Sequence, residues 1–177
     1  MKNMLKKMIN IRLLTISSPI KRAEYLRKKS IFKEFGENVW YQPYKIPTQP
    51  KLVKIGNNVK IATEVLFMEH DIIHHVFNTK CKTKEFKEYL GTIEIGDNTF
   101  IGARTIITYN TKIGEDCIIG CGSIVTHDIP SGSVAVGIPA RVIGKTTDIM
   151  KKYKKYSDDK INLNLYDDDI LDKLFWN

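Results

Sequence analysis

IGDNTF, IGARTI, ITYNTK, IGEDCI, IGCGSI and VTHDIP, read without a gap from Ile95 to Pro130, are six hexapeptides that each open on an aliphatic residue: Ile95, Ile101, Ile107, Ile113, Ile119 and Val125. Four of the six follow it with glycine (Gly96, Gly102, Gly114, Gly120), and five place a small residue four positions on (Thr99, Thr105, Thr111, Cys117, Ser123). A period of six suits neither a helix nor a simple two-residue strand alternation. It suits a solenoid of short strands stacked coil on coil, so the expected fold is an all-β parallel β-helix.

The same beat runs earlier through Ile55–Lys60 and Ile61–Leu66, with a weaker copy in Phe35–Trp40. Ile55 and Ile95 are 40 residues apart, which is not a multiple of six, so the chain must leave the coil and return between about Phe67 and Thr92. A long unpatterned loop inside a compact domain is usually functional or disordered, and this one is the first place to look for chemistry.

At 177 residues the chain suits one domain with appendages, large enough to bury a core without disulfides or metal. Its three cysteines are odd in number and Cys117 falls on an inward repeat position, which points to plain thiols in a reducing compartment. Residues 1–34 carry ten Lys/Arg against Glu24 and Glu34, which equals the net charge of the whole chain, +8. The remainder is neutral overall, which argues against a body built to hold nucleic acid. The basic arm has two open readings, weak contact with an anionic membrane surface and a solvated helix face. Ile9–Ser17 is too short, and too interrupted by Arg12, for a signal-peptide core or a membrane span, so a cytoplasmic protein, peripheral at the inner membrane face if the arm binds lipid, is expected.

Three segments follow. Residues 1–34 are a basic arm and capping helix, with Ser18 as N-cap, Pro19 as first helical residue and the helix running to Lys29. Residues 35–144 are the β-helix with its loop at 67–92. Residues 145–177 are a helical tail, with a basic run from Lys151 to Lys155 and an acidic start before an apolar stripe at 167–176.

Three of the four histidines, His70, His74 and His75, lie in the excursion. His70 directly follows the first regular block, so its backbone is expected to be held by the solenoid. It reads as a general base, a structural loop histidine or a metal ligand, and the adjacent Asp71 is expected to support it by fixing its tautomer. Adjacent His74 and His75 point to different sides of an extended segment, so a three-histidine zinc site would need an unusual backbone, and no metal is expected.

The segment Ile55–Gly144 resembles the hexapeptide-repeat acetyltransferases, in particular the galactoside and maltose O-acetyltransferases and their capsular or lipopolysaccharide O-acetyltransferase relatives. The residues that carry the resemblance are Ile55–Val59, His70 with His74 and His75, Ile95–Asn98, Ile119–Pro130 and Val136–Gly144. It implies a left-handed β-helix and a homotrimer with active sites between subunits. It also implies acetyl-CoA as co-substrate, with His70 taking the proton of an acceptor hydroxyl. Carried over by position, Phe100, Gly102, Ala103, Gly120, Cys121, Thr126, His127 and Arg141 fall on the cofactor groove, and Trp40 and Gln42 on the acceptor side. Arg141 is suited to phosphate oxygens, with a plain surface arginine as the alternative.

The departures fall on both sides. Phe100 stands where the galactoside enzymes carry tryptophan and Ala103 where they carry serine, and His127 replaces a frequent lysine. Trp40, Tyr41 and Tyr44 are read either as a stacking platform for a pyranose or as packing at the solenoid end. The expected activity is O-acetylation of a sugar hydroxyl in surface-polysaccharide biosynthesis. N-acetylation of an amino sugar or antibiotic, a non-catalytic β-helix scaffold and a zinc-dependent anhydrase are the rivals.

Overall fold

The computed structural model describes residues 2–159 together with Ile170 and Asp172, and the chain divides into two compact units, one ending at Thr146 and the other beginning at Thr147. Apart from Ile170 and Asp172, the expected helix at 167–176 lies outside the described residues. The first unit opens with α1 (Lys2–Leu14) and α2 (Pro19–Lys29), then β1 (Glu34–Phe35), β2 (Trp40–Tyr41), β3 (Val53–Ile55), β4 (Lys60–Ile61) and β5 (Leu66–Met68). After α3 (Ile73–Cys81) come β6 (Ile93–Ile95), β7 (Phe100–Ile101), β8 (Ile106–Thr108), β9 (Thr111–Ile113), β10 (Ile118–Ile119), β11 (Ile124–Val125), β12 (Ser133–Val136) and β13 (Arg141–Lys145). The last helix, α4 (Thr146–Asp159), carries Lys151–Lys155.

These strands form three sheets, one per face of the coil: β1-β3-β6-β9, β2-β4-β7-β10-β12-β13 and β5-β8-β11. We call them faces A, B and C. Every pairing is parallel except β12 with β13, and the architecture is a left-handed parallel β-helix. Register records where the chain departs from its beat. Ile95 pairs with Ile113, one regular coil of 18 residues, whereas Ile55 pairs with Ile95 across 40, so 22 residues are inserted between those coils.

Inside, apolar residues stack face by face. Ile55, Ile95, Ile113 and Ile129 line face A, Ile61, Ile101 and Ile119 face B, and Phe67, Ile107 and Val125 face C, all buried. Each such side chain contributes about 1.5–3 kcal/mol when fully buried. The glycine after the aliphatic residue follows from stacking distance: a Cβ on Gly96 would stand 2.7 Å from the Glu115 nitrogen, and one on Gly102 2.5 Å from the Cys121 nitrogen. The small fourth position is equally physical. Thr99, Thr105, Thr111, Cys117 and Ser123 are buried, and Thr99 Oγ1 donates to the Gly114 carbonyl of the next coil at 3.0 Å. The A–B corners turn through left-handed Asn38, Asn58, Asn98 and Asp116, residue types that tolerate positive φ. Their amides form a ladder, Asn38 Nδ2 to Asn58 Oδ1 at 2.9 Å and Asn58 Nδ2 to Asn98 Oδ1 at 3.0 Å.

The helices close the first coil. Ser18 Oγ accepts from the Lys21 N–H at the start of α2, and Ala23 and Leu26 are buried beneath it. Buried Arg22 is satisfied by the Tyr41 carbonyl at 3.1 Å and the Ile16 carbonyl at 2.6 Å, with its guanidinium 4.4 Å above the Tyr44 ring. Fully buried Tyr41 donates its hydroxyl to the Lys45 carbonyl, and burial pushes its phenol pKa up, so this ring is packing rather than a sugar platform. Helix α1 is seated by buried Ile9 and Leu13, with Asn10 Oδ1 accepting from the Ile46 N–H. Among the described residues, no helix is long and apolar enough to cross a membrane.

Candidate active site

Strand β5 alternates outward Leu66, inward Phe67 and outward Met68, and the next residue, Glu69, turns inward and is fully buried. The excursion therefore starts at Glu69, two residues later than the sequence suggests, and it is not unpatterned. Helix α3 occupies its first half, and Asn78 clips it to the returning segment by donating to the Phe86 carbonyl and accepting from the Phe86 N–H. The loop's two stems pair at its base through an antiparallel bridge between His70 and Leu90, flanked by Gly91 N–H to Glu69 carbonyl at 3.0 Å and Asp71 N–H to Tyr89 carbonyl at 3.2 Å. The His70 backbone is thus held on both sides.

Two carboxylates flank the ring. Glu69 Oε1 is 3.8 Å from His70 Nδ1, and Glu88 Oε1, on the half-exposed return segment, is 3.8 Å from Nε2. Glu69 Oε1 also accepts a short hydrogen bond from the Gln49 N–H, whereas its Oε2 and His70 Nδ1 are buried without a hydrogen-bond partner among the described residues. Glu69 thus faces Nδ1, and Nε2 is turned to the Glu88 side. Asp71, expected to support His70, has both carboxylate oxygens bonded elsewhere. Its Oδ1 accepts from the Ile73 N–H at 3.0 Å, leading into α3, and its Oδ2 accepts from the Tyr109 hydroxyl at 2.8 Å, which raises the Tyr109 pKa. Asp71 fixes the loop to the next coil, and Glu69 and Glu88 stand at the ring. Alternation along β5 was the signal that could have found Glu69.

His74 and His75 stack with centroids 4.1 Å apart at the start of α3, and no group of three or more potential metal ligands occurs among the described residues. His74, Phe77, Phe86 and Tyr109 line a recess of ≈ 520 Å³ behind the loop. A second cleft, ≈ 440 Å³, lies beside the first coil between residues 43–48 and 63–67. Half-exposed Tyr44 lines it; Trp40, on the outer side of β2, and Gln42, whose N–H donates to the Ile61 carbonyl, do not.

The residues placed on the cofactor side fall into two groups. Gly102, Ala103, Gly120 and Cys121 form the B–C corner of successive coils, and Phe100 stands outward on β7 just before it. The Ala103 carbonyl accepts from Gly122, while the N–H groups of Ala103 and Cys121 donate to no group among the described residues. Thr126 and His127 lie past the far end of β11, at the C–A border, joined by a 2.8 Å hydrogen bond. Arg141, exposed, opens β13 opposite Val136 at the end of β12 and so lies on the B–C side, next to Ala140, whose N–H donates to the Ile124 carbonyl at the start of β11. His70, two residues past β5, shares the C–A border. Within one chain, face C therefore separates His70 from Ala103 and Cys121.

A family model described as bacterial transferase hexapeptide (six repeats) matches residues 92–127. The galactoside O-acetyltransferase of Escherichia coli (strain K12) is 33% identical over 157 residues, which span 77% of this chain and 74% of that protein. The solved maltose O-acetyltransferase from Clostridium difficile 630 superposes with a TM-score of 0.61 at 29% identity, covering 80% of this chain and 84% of that one. A galactoside acetyltransferase solved in complex with coenzyme A gives a TM-score of 0.60 at 26% identity, covering 84% and 82%. Coil and corner define a hexapeptide-repeat transferase. The chain belongs to the hexapeptide-repeat acetyltransferases and is an acyltransferase.

Proposed function

We propose that this chain is an acetyl-CoA-dependent O-acetyltransferase that acetylates a sugar hydroxyl in surface-polysaccharide biosynthesis, in the cytoplasm. The observation that carries the reading is the His70 ring, held by both loop stems at the C–A border with a buried carboxylate facing Nδ1. In the reaction Nε2 takes the proton as the acceptor oxygen attacks the thioester carbonyl. The tetrahedral oxyanion is held by free backbone N–H groups of the B–C corner, those of Ala103 and Cys121 being the candidates. The C–S bond then breaks, and the thiolate takes the proton back from the imidazolium to leave as CoA. Direct transfer needs no acyl-enzyme. Cys117 suits none in any case, because burial raises its pKa.

The separation of His70 from the B–C corner by face C supports a homotrimer in which His70 of one subunit faces the cofactor groove of the next. Phe100, Gly102, Ala103, Gly120, Cys121, Thr126, His127 and Arg141 form that groove, with Arg141 toward the phosphates. Of the outward residues of face C, Leu66, Met68, Ile106 and Ile124 are apolar, as a subunit contact requires, and Thr108 turns its hydroxyl to the Val125 carbonyl. The acceptor enters over the first coil, where Trp40 and Gln42 lie on the outer surface and Tyr44 on the 440 Å³ cleft.

The test is thiol release from acetyl-CoA with a panel of sugars, nucleotide sugars and amino sugars, for the wild type and His70→Ala. A sugar-dependent turnover that drops by about 10²-fold or more in the variant is expected. Turnover confined to the amino sugars would replace the O-acetylation reading, and turnover that survives the substitution would remove His70 from the site.

A further inference from the structure

The basic arm is not used by the chemistry above, and its structure is more specific than its charge. Helix α1 turns Lys6, Ile9, Asn10 and Leu13 inward: Lys6 donates to the Thr48 carbonyl, Asn10 accepts from Ile46, and Ile9 and Leu13 are buried. A helix seated this way ordinarily shows water a polar back. This one shows a second apolar stripe, Met4, Met8 and Ile11, at i, i+4 and i+7, which are 64, 60 and 64% exposed. Lys7 and Arg12 flank the stripe, and α1 holds no acidic residue.

Beside the end of α1, a groove of ≈ 310 Å³ against α2 is lined by Arg12, Lys21 and Lys28 with Ile16, Tyr25 and a single acid, Glu24. Neither these three cations nor Lys7 form an ion pair among the described residues; in α1 and α2 only Arg27 does, with Glu37. Uncompensated cations around an apolar stripe describe a surface complementary to negative charge at a boundary with hydrocarbon. We propose that α1 and this groove dock the protein on an anionic lipid bilayer, with Met4, Met8 and Ile11 entering the headgroup boundary and Arg12, Lys21 and Lys28 meeting lipid phosphates. A nucleic acid would satisfy the cations but would leave the stripe in water. The proposal does not depend on which acceptor the enzyme uses.

The experiment is co-sedimentation of the full chain with vesicles of phosphatidylglycerol and phosphatidylcholine in equal parts, with pure phosphatidylcholine vesicles and duplex DNA as comparisons. The chain is expected to bind the mixed vesicles, to be released by salt, and to ignore pure phosphatidylcholine. Met8→Glu with Ile11→Glu should weaken binding by about tenfold or more, and Lys21→Glu or Lys28→Glu by about fivefold each. These positions are exposed, so circular dichroism, native mass and turnover on a water-soluble acceptor should all be retained. Absence of vesicle binding, a preference for DNA, or a Met8/Ile11 variant that binds like the wild type would overturn the proposal. So would a change in native mass in that variant, which would make the stripe a subunit contact.

Discussion

Faces A and C of the solenoid are built on the same hexapeptide and bury the same kind of residue, yet their outer rows are opposites. Along face A, Glu34, Lys54, Glu94 and Lys112 stand in register and alternate in sign, with Lys54 Nζ 3.5 Å from Glu34 and 3.8 Å from Glu94. Along face C the register partners are Leu66, Ile106 and Ile124, with Met68 and its partner Thr108 beside them, and none is charged. The repeat dictates what points inward and leaves the outward row free. What occupies that row therefore records what lies outside it: water beside face A and, in our proposal, a second subunit beside face C.

Charge on face C should have the largest effect. Met68→Asp with Leu66→Asp is expected to reduce the native mass from trimer to monomer and to abolish turnover, because each site would lose one wall; analytical ultracentrifugation with thiol release checks both. His70→Ala, at the border of the same face, should cost about 10²-fold or more in kcat with the mass unchanged. Glu69→Gln should cost about tenfold in kcat at constant KM, because the His70 ring loses the buried carboxylate that faces Nδ1. A purely structural Glu69 would instead lower the unfolding midpoint and leave kcat of the folded protein in place. On face A, Lys54→Ala should change stability by no more than about 1 kcal/mol in a denaturant titration, as surface ion pairs do, and leave turnover untouched.

The smallest effect concerns the interior both faces share. Burial raises the Cys117 pKa, so the thiol stays protonated as pH rises past the ordinary thiol range. The sign is that stability from this group is complete below the unfolded pKa and is lost as pH rises through the folded one. Cys81 and Cys121, both exposed, should react with a maleimide while Cys117 does not until the chain unfolds.

Much of this was legible because a period of six has few structural solutions. The strands, the glycines at coil contacts and the site of the excursion follow from Ile95–Pro130 and from the 40-residue step between Ile55 and Ile95. Helix α3 was not legible, since its apolar residues Ile73, Val76 and Phe77 are exposed in the chain and answer to no inner surface. Asp71 was expected at the His70 ring because it is adjacent in sequence. The alternation of β5 persists one residue beyond its last pairing, however, and delivers Glu69 inward instead, while the turn into α3 takes Asp71 to Tyr109. The second apolar stripe of α1 was hidden by its lysines, which made the arm look simply basic.

The central claim is that the site is completed across face C, and mixed subunits test it most directly. His70→Ala chains and Ala103→Trp chains, the second blocking the cofactor corner, are each expected to be inactive alone with the best acceptor of the panel. Unfolded and refolded together in equal amounts, they should recover about a quarter of wild-type turnover, the share of subunit borders at which an intact His70 meets an intact groove in a closed ring. No recovery from mixed trimers of confirmed composition would contradict the account, and would place His70 and its acetyl-CoA on the same chain.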